Sequence, residues 1–285
     1  GARVGNAGRL RQLRHERALT ARMDHPNIVK VAELGRAGPW PYMVMELLQG
    51  ESLREHLLRC GRLCLRASLE LMLPVIRGVA AAHARGVMHC DIKPANILLV
   101  TDSAGLKRPV LVDFGNAQLE GHQEDAAFPG PRLVGTPQYM APEQALGTDA
   151  RGPASDQYGL AIVLFECLAG RPPIDDPDPG TVLRRVARGD RPPLEFDLRG
   201  HDKHSLTVLR RATAIDPSGR YGTVAGFADA LETSLRAHPG TTGGRATRQH
   251  RPGVPDMPGE SHSQSEHQPR NTRPPGTATS GTTHP

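Results

Sequence analysis

Asp91, Lys93 and Asn96 lie close together in the run from Val87 to Leu99. Carboxylate, ammonium and amide at these offsets suit the movement of a phosphoryl group. A loop carboxylate can orient a hydroxyl and take its proton, a lysine can neutralise a phosphoryl oxygen, and an amide can lend its oxygen to Mg²⁺, a hard cation that prefers oxygen. An apolar helical stretch precedes the trio and Ile97-Leu98-Leu99-Val100 reads as a strand after it, so a loop is expected to carry all three. Pro94 argues against a continuous helix there. A charged surface turn is the plain alternative, and the particular D-x-K-P-x-N spacing speaks against it. A second metal-binding carboxylate is expected at another strand end, and Asp113 supplies one directly after the apolar Val110-Leu111-Val112.

The bulk properties narrow the partners. The 285 residues suffice for one large domain or two modest ones with a sizeable core. Lys and Arg number 35 against 30 Asp and Glu, a net +5 spread along the chain rather than gathered in blocks, so nucleic acid is not an expected partner. Cys60, Cys64, Cys90 and Cys167 form no C-x-x-C pair and read as free thiols of a reducing, cytoplasmic setting. The longest apolar segments are broken by Pro74, Arg77 or Glu166, so no membrane segment is expected in the visible chain.

Three motifs in order, HCDIKPAN around Asp91, VDFGNA around Asp113 and GTPQYMAPEQ through Glu143, resemble the catalytic loop, metal-binding loop and activation-segment end of a eukaryotic-type protein kinase of the bacterial kind. The resemblance runs from about Leu10 to Leu235. It implies an α+β, two-lobe fold with a β-rich N-lobe and a mostly helical C-lobe. It also implies ATP and Mg²⁺ as cofactors and a protein Ser/Thr hydroxyl as acceptor, Lys93 pointing to Ser/Thr rather than Tyr. By this likeness Asp91 orients the acceptor, Lys93 stabilises the transferring group, Asn96 and Asp113 hold Mg²⁺, and Thr136 hydrogen-bonds Asp91 and Lys93. Glu143 is expected to pair with Arg220, and Asp156 to hold the backbone of the catalytic loop.

Upstream, residues 10–23 carry apolar positions at helical intervals before the Asp24-His25-Pro26-Asn27 turn and the strand-like Ile28 to Val31. The likeness makes this the kinase C-helix, with Glu16 as partner of an ATP-contacting lysine. Pro41 to Leu48 reads as a buried strand leading into the hinge between lobes. There Met45 would be the gatekeeper, the backbone of Glu46 to Leu48 would bind adenine, and Leu98 would join them at the nucleotide. Glu51 could reach the ribose, or it could be a carboxylate favoured in a first helical turn. Ser52 and Glu55 form a capping box that opens the next helix.

From residue 67 to 85 a helical stripe includes Leu69, Met72, Ile76, Val79 and His83, the last read as a packed core histidine, with Pro74 as a kink. His89 is expected beneath the metal loop, hydrogen-bonded to backbone. Cys90 occupies the place where most such kinases carry an arginine that clamps a phosphorylated activation segment. Between Phe114 and Val134 the chain has no Ser, Thr or Tyr, so the two absences match and activity independent of activation-loop phosphorylation is expected. A reactive Cys90 thiol is the competing interpretation. Helices are expected over 182–188, 205–214 and 224–235.

The likeness fails at the start. Residues 1–9 hold neither a glycine-rich phosphate loop, GNAG being too sparse, nor a strand lysine, and the first lysine is Lys30. With Gly1 rather than Met at the start, the expectation is an N-terminally truncated kinase, comprising a partial N-lobe over 1–49, a C-lobe over 50–237 and a disordered tail over 238–285. On that view the segment alone transfers little phosphate. A pseudokinase scaffold is the alternative, and a small-molecule phosphotransferase is disfavoured by the GTPQYMAPE segment.

Overall fold

A computed structural model of the chain describes residues 13–14, 16–38, 40–101, 105, 107–119, 136–147, 152–191, 194 and 203–237. The expectations for residues 1–9, most of the stretch between Phe114 and Val134, and the tail from residue 238 fall outside them.

Residues 16–20 are helical (α1), and the Thr20 hydroxyl donates back to the Glu16 carbonyl at 2.8 Å. The chain turns through Asp24 to Asn27, whose side-chain amide donates to the Pro109 carbonyl at 2.7 Å. Ile28 makes a single parallel bridge with Leu111, and the strand expected from Ile28 instead begins at Val31. Ile28 and Val29 are buried, so their apolar character reports core packing rather than a sheet.

Strands β1 (Val31–Ala37) and β2 (Trp40–Met45) pair as an antiparallel hairpin. The strand expected to be buried is in fact open: Trp40, Tyr42, Val44 and Met45 are all exposed. A strand is covered only where a second layer packs on its face, and the apolar run around Tyr42 cannot by itself distinguish a covered face from an open one. Strand β3 (Gly50–Ser52) follows, with Gly50 so close to the next strand that a side chain there would collide with the Leu99 carbonyl. Ser52 then caps α2 (Leu53–Cys60), exchanging hydrogen bonds with Glu55 as the capping box requires.

Helix α3 (Leu65–His83) carries Pro74 and is buried along Leu69, Met72, Ile76 and Val79. It delivers the chain into β4 (Val87–Met88), the catalytic-loop candidate, and a 3₁₀ turn over Pro94–Asn96. Strands β5 (Ile97–Thr101) and β6 (Lys107–Leu111) complete an antiparallel sheet in the order β3-β5-β6, and β7 (Gln118–Leu119) pairs with β4. After a short α4 (Pro142–Ala145), helix α5 (Pro153–Ala169) is apolar on almost every side and is buried nearly throughout, as an all-round apolar helix must be. The main core gathers around it from α3, α7 (Lys203–Ala212), α8 (Val224–Ala237) and the inner faces of β5 and β6. Helix α6 (Pro179–Arg188) packs on the segment from Met140 as a smaller cluster. The result is a two-lobe, α+β architecture, a small antiparallel sheet region followed by a mostly helical remainder.

Glu143 and Arg220 bolt α4 to this core. Two guanidinium nitrogens meet the two carboxylate oxygens at 2.7 and 2.8 Å, Ser155 Oγ adds 2.8 Å, and Arg220 also donates to the carbonyls of Ala154, Ala214 and Ile215. Both side chains are buried, so removing one strips the other of its counter-charge in the interior. Arg220→Met is therefore expected to cost about 3–5 kcal/mol of unfolding free energy, read from denaturant titrations of the variant and its parent.

Candidate active site

The loop from His89 to Asn96 has no regular hydrogen-bonded ladder of its own and is held from below. Asp156, near the start of α5, accepts the backbone N–H of His89 at 2.8 Å on Oδ2 and that of Cys90 at 2.8 Å on Oδ1. His83, at the end of α3, donates to the same Oδ2 at 2.8 Å, so this histidine does more than fill the core. Burial alone would raise the Asp156 carboxyl, but the His83 hydrogen bond, the nearby His83 and His89 rings and the His89 amide together hold it below the ordinary aspartate value. Asp156 is thus a buried anion that fixes two consecutive peptide groups.

The second of those peptides is unusual, because Cys90 sits at φ 64°, in the left-handed region that side-chain-bearing residues avoid. His89 packs edge-on against Phe114 with ring centroids 4.6 Å apart, donates from Nε2 to the Val112 carbonyl at 3.1 Å and accepts the Asp91 N–H on Nδ1 at 3.3 Å. It lies beneath the metal-loop candidate and ties it to the catalytic-loop candidate.

Asp91 itself is buried, and one of its oxygens collects all its side-chain donors. Lys93 Nζ lies 2.6 Å from Oδ2, Asn96 Nδ2 3.4 Å and Asn116 Nδ2 3.5 Å. Asn96 also donates to the Asp91 carbonyl at 3.0 Å. Among the described residues no hydrogen bond engages Oδ1. Neutral and cationic donors on one oxygen fix the orientation of the carboxylate as well as its charge.

Asn96 and Asp113 are brought together by the β5–β6 register: Ile97 pairs with Leu111, and the Val112 N–H donates to the Asn96 carbonyl at 2.9 Å. Asn96 spends its amide hydrogens on Asp91, so its side-chain oxygen stays available. Asp113, also in the left-handed region at φ 65°, accepts only the Gly115 N–H, at 3.3 Å, among the described residues. Two uncommitted hard oxygens on neighbouring strand ends fit a divalent cation. Glu16 of α1 points to the same place: burial first, and the Asp113 carboxylate second, raise its carboxyl, while the Phe114 N–H works against them. Two carboxylates therefore converge on a point that favours positive charge.

At the hinge candidate, the Glu46 carboxylate accepts the Lys30 N–H at 2.8 Å and the Glu46 N–H donates to the Lys30 carbonyl at 3.0 Å, fixing the end of β2. Among the described residues the Glu46 carbonyl and both backbone groups of Leu48 are unpaired. Leu48 packs against the main core, while Met45 is exposed. Leu98 lies on β5, opposite Ser52 and Val110. Glu51 is in β3 rather than in a helical turn. It receives Arg59 at 2.6 Å, His56 at 2.9 Å and Lys107 at 2.9 Å, and these three partners, Lys107 foremost, depress its carboxyl to about 2.

Thr136 lines a cavity of about 10 Å³ with Cys90, Asp91, Tyr139, Gln144 and Asp156. Among the described residues it makes no hydrogen bond to Asp91 or Lys93, so it adjoins the site without the bonds the family pattern implies. Asn116 and Gln144 were not singled out from sequence. Asn116 stood in plain view directly after the DFG triplet, whereas Gln144 gave no local signal, since its partner lies 54 residues away.

The chain belongs to the protein kinase domain family, whose model matches residues 3–220. It is 35% identical over 253 residues to the serine/threonine-protein kinase Pkn1 of Myxococcus xanthus, covering 84% of this chain and 35% of that protein. It is 37% identical over 229 residues to PknA of Mycobacterium tuberculosis, covering 78% of this chain and 50% of that protein, and 33% identical over 220 residues to PknB of the same organism, covering 75% and 34%. The chain thus spans half or less of the length of these curated relatives.

The loop's dependence on Asp156 gives a signed pH effect. A carboxyl held below its ordinary value of 3.8 contributes stability above that value and loses it as the pH falls through the depressed folded value. Asp156→Asn is expected to unfold about 3 kcal/mol more easily than its parent near neutrality, because an amide hydrogen would face a backbone N–H. The gap should narrow below pH 3.8, as denaturant titrations across pH would record.

Proposed function

We propose that this chain is the phosphoryl-transferring part of a protein serine/threonine kinase, moving the γ-phosphoryl of Mg·ATP to a Ser or Thr hydroxyl of a protein. The observation that carries this reading is the asymmetric Asp91 carboxylate, with Lys93, Asn96 and Asn116 on Oδ2 and Oδ1 free of hydrogen bonds among the described residues. Oδ1 would accept the hydrogen bond of the acceptor hydroxyl and take its proton as the new P–O bond forms. Lys93 would neutralise the oxygens of the moving group. Asn96 and Asp113 would hold Mg²⁺, which supplies charge neutralisation on the phosphate oxygens. Glu16 would anchor a lysine on the phosphates, and Thr136 would shape the ground beside Asp91.

Adenine would be read by the free backbone groups of Glu46 and Leu48, with Met45 and Leu98 on either side. Glu51 is engaged by Lys107, Arg59 and the His56 ring, so any ribose contact would have to share it. Lobes dividing near residue 49, ATP and a protein as partners rather than nucleic acid, and a cytoplasmic setting complete the reading. No helix among the described residues is long and apolar enough to cross a membrane.

The test uses protein expressed from its complete coding sequence. Asp91→Asn should keep Mg·ATP binding, measured by titration calorimetry, and lose transfer of labelled γ-phosphate by about 10²–10⁴-fold. Asp113→Asn should lose the Mg²⁺-dependent part of ATP binding. A parent protein that binds no Mg·ATP and transfers nothing would point to a pseudokinase scaffold instead.

A further inference from the structure

Cys90 is the residue on which Asp91 hangs, and both sides of it are held. Its N–H is taken by Asp156 on α5, and its carbonyl accepts the side-chain amide of Gln144 at 3.3 Å. Gln144 is buried, and its other end is also engaged, Oε1 accepting the Ala141 N–H at 2.9 Å. It sits on α4 directly after Glu143, whose pairing with buried Arg220 makes that short helix a rigid mount. A left-handed non-glycine residue persists only where its surroundings hold it, and the two peptide clamps on Cys90 do so from opposite sides. Gln144 also lines the cavity shared by Cys90, Asp91, Thr136 and Tyr139, where the loop bearing Asp91 meets the segment from Thr136 to Ala141.

We propose that Gln144 is a positioning residue, whose side-chain N–H, donating a hydrogen bond to the Cys90 carbonyl, couples the segment that begins at Thr136 to the orientation of Asp91. This rests on the reading of Asp91 as the carboxylate that orients the acceptor. Gln144 touches no reacting atom. It acts through the Cys90–Asp91 peptide, so that the segment expected to lie against the protein substrate and the carboxylate that meets its hydroxyl move as one body.

The side chain can be divided chemically. Gln144→Glu keeps an acceptor for the Ala141 N–H and removes the donor to Cys90, whereas Gln144→Met removes both. Near pH 7.5, Gln144→Glu should lower kcat for peptide phosphorylation about tenfold with KM for ATP within about twofold, because the adenine and metal residues lie on other elements. Protonation returns a donor. Asp91 and Asp156 face the same cavity as the introduced carboxyl and favour its proton, so the ratio of parent to Gln144→Glu kcat should shrink as the pH is lowered toward 5.5, while the Gln144→Met ratio stays constant. Full kcat for Gln144→Glu at pH 7.5, or a loss that does not respond to pH, would overturn the proposal.

Hydrogen exchange at the amides of Cys90 to Ile92 separates this proposal from the reading beneath it. Faster exchange there in either variant, with a parent that transfers no phosphate, would retain the tether and refute the kinase reading. Unchanged exchange would refute the tether whatever the activity, and Gln144→Met carries this measurement if Gln144→Glu does not fold.

Discussion

The carboxylate of Asp156 is the contact on which the rest of the site depends. A loop that leaves a helix, carries a left-handed residue and must place one carboxylate accurately has no ladder of its own to rely on. Asp156 supplies the missing order from the most deeply buried helix, taking two successive peptide N–H groups and the His83 ring on its two oxygens. Its burial would be costly for an unpaired charge, and those three donors are what make an ionised carboxylate tenable there. The same loop is then tied sideways by His89 to Phe114 and Val112, and from above by Gln144. Asp91 is positioned by contacts converging from α3, α4, α5 and the metal loop.

A second constraint is electrostatic. Asp113 and Glu16 approach one another on the side of the loop where Asn96 leaves its oxygen uncommitted, and burial together with the Asp113 charge raises the Glu16 carboxyl. Such a cluster is poised to gain from a cation. Lys93 is spent on Asp91, so the charge that would relieve Asp113 and Glu16 has to come from elsewhere, as a divalent ion or a lysine would provide. The basic groups around Glu51 form a separate, self-satisfied cluster on β3, α2 and β6.

Much of this was legible from residue order because the relevant signals are local. Asp91, Lys93 and Asn96 lie within one short loop, the Ser52 capping box closes over three residues, and the long apolar stripes of α3 and α5 announce buried helices. The Glu143–Arg220 pair and the role of Asp156 followed from the family pattern, and the side chains meet as that pattern requires. What escaped was settled by partners distant in sequence. Ile28 and Val29 look like strand residues but are core, Tyr42 and Val44 look buried but are not, and His83 reads as packing until Asp156 arrives beside it 73 residues later. Glu51 could not be assigned to ribose or helix turn, because its three side-chain partners, Lys107, Arg59 and His56, come from two other elements. No local rule marks Gln144, whose value lies in reaching a carbonyl on another segment.

We propose that these contacts suffice to hold the loop without added phosphate: by the family resemblance Cys90 takes the place of an arginine clamp, and the stretch between Phe114 and Val134 has no Ser, Thr or Tyr. The most direct measurement is transfer of labelled γ-phosphate to a Ser/Thr peptide by protein from its complete coding sequence, first freed of all phosphate by a phosphatase and checked by mass spectrometry. The contacts around Asp156 predict full initial velocity from the first turnover, with no lag. A lag that ends only as the protein acquires phosphate, or no transfer until it is phosphorylated, would contradict them.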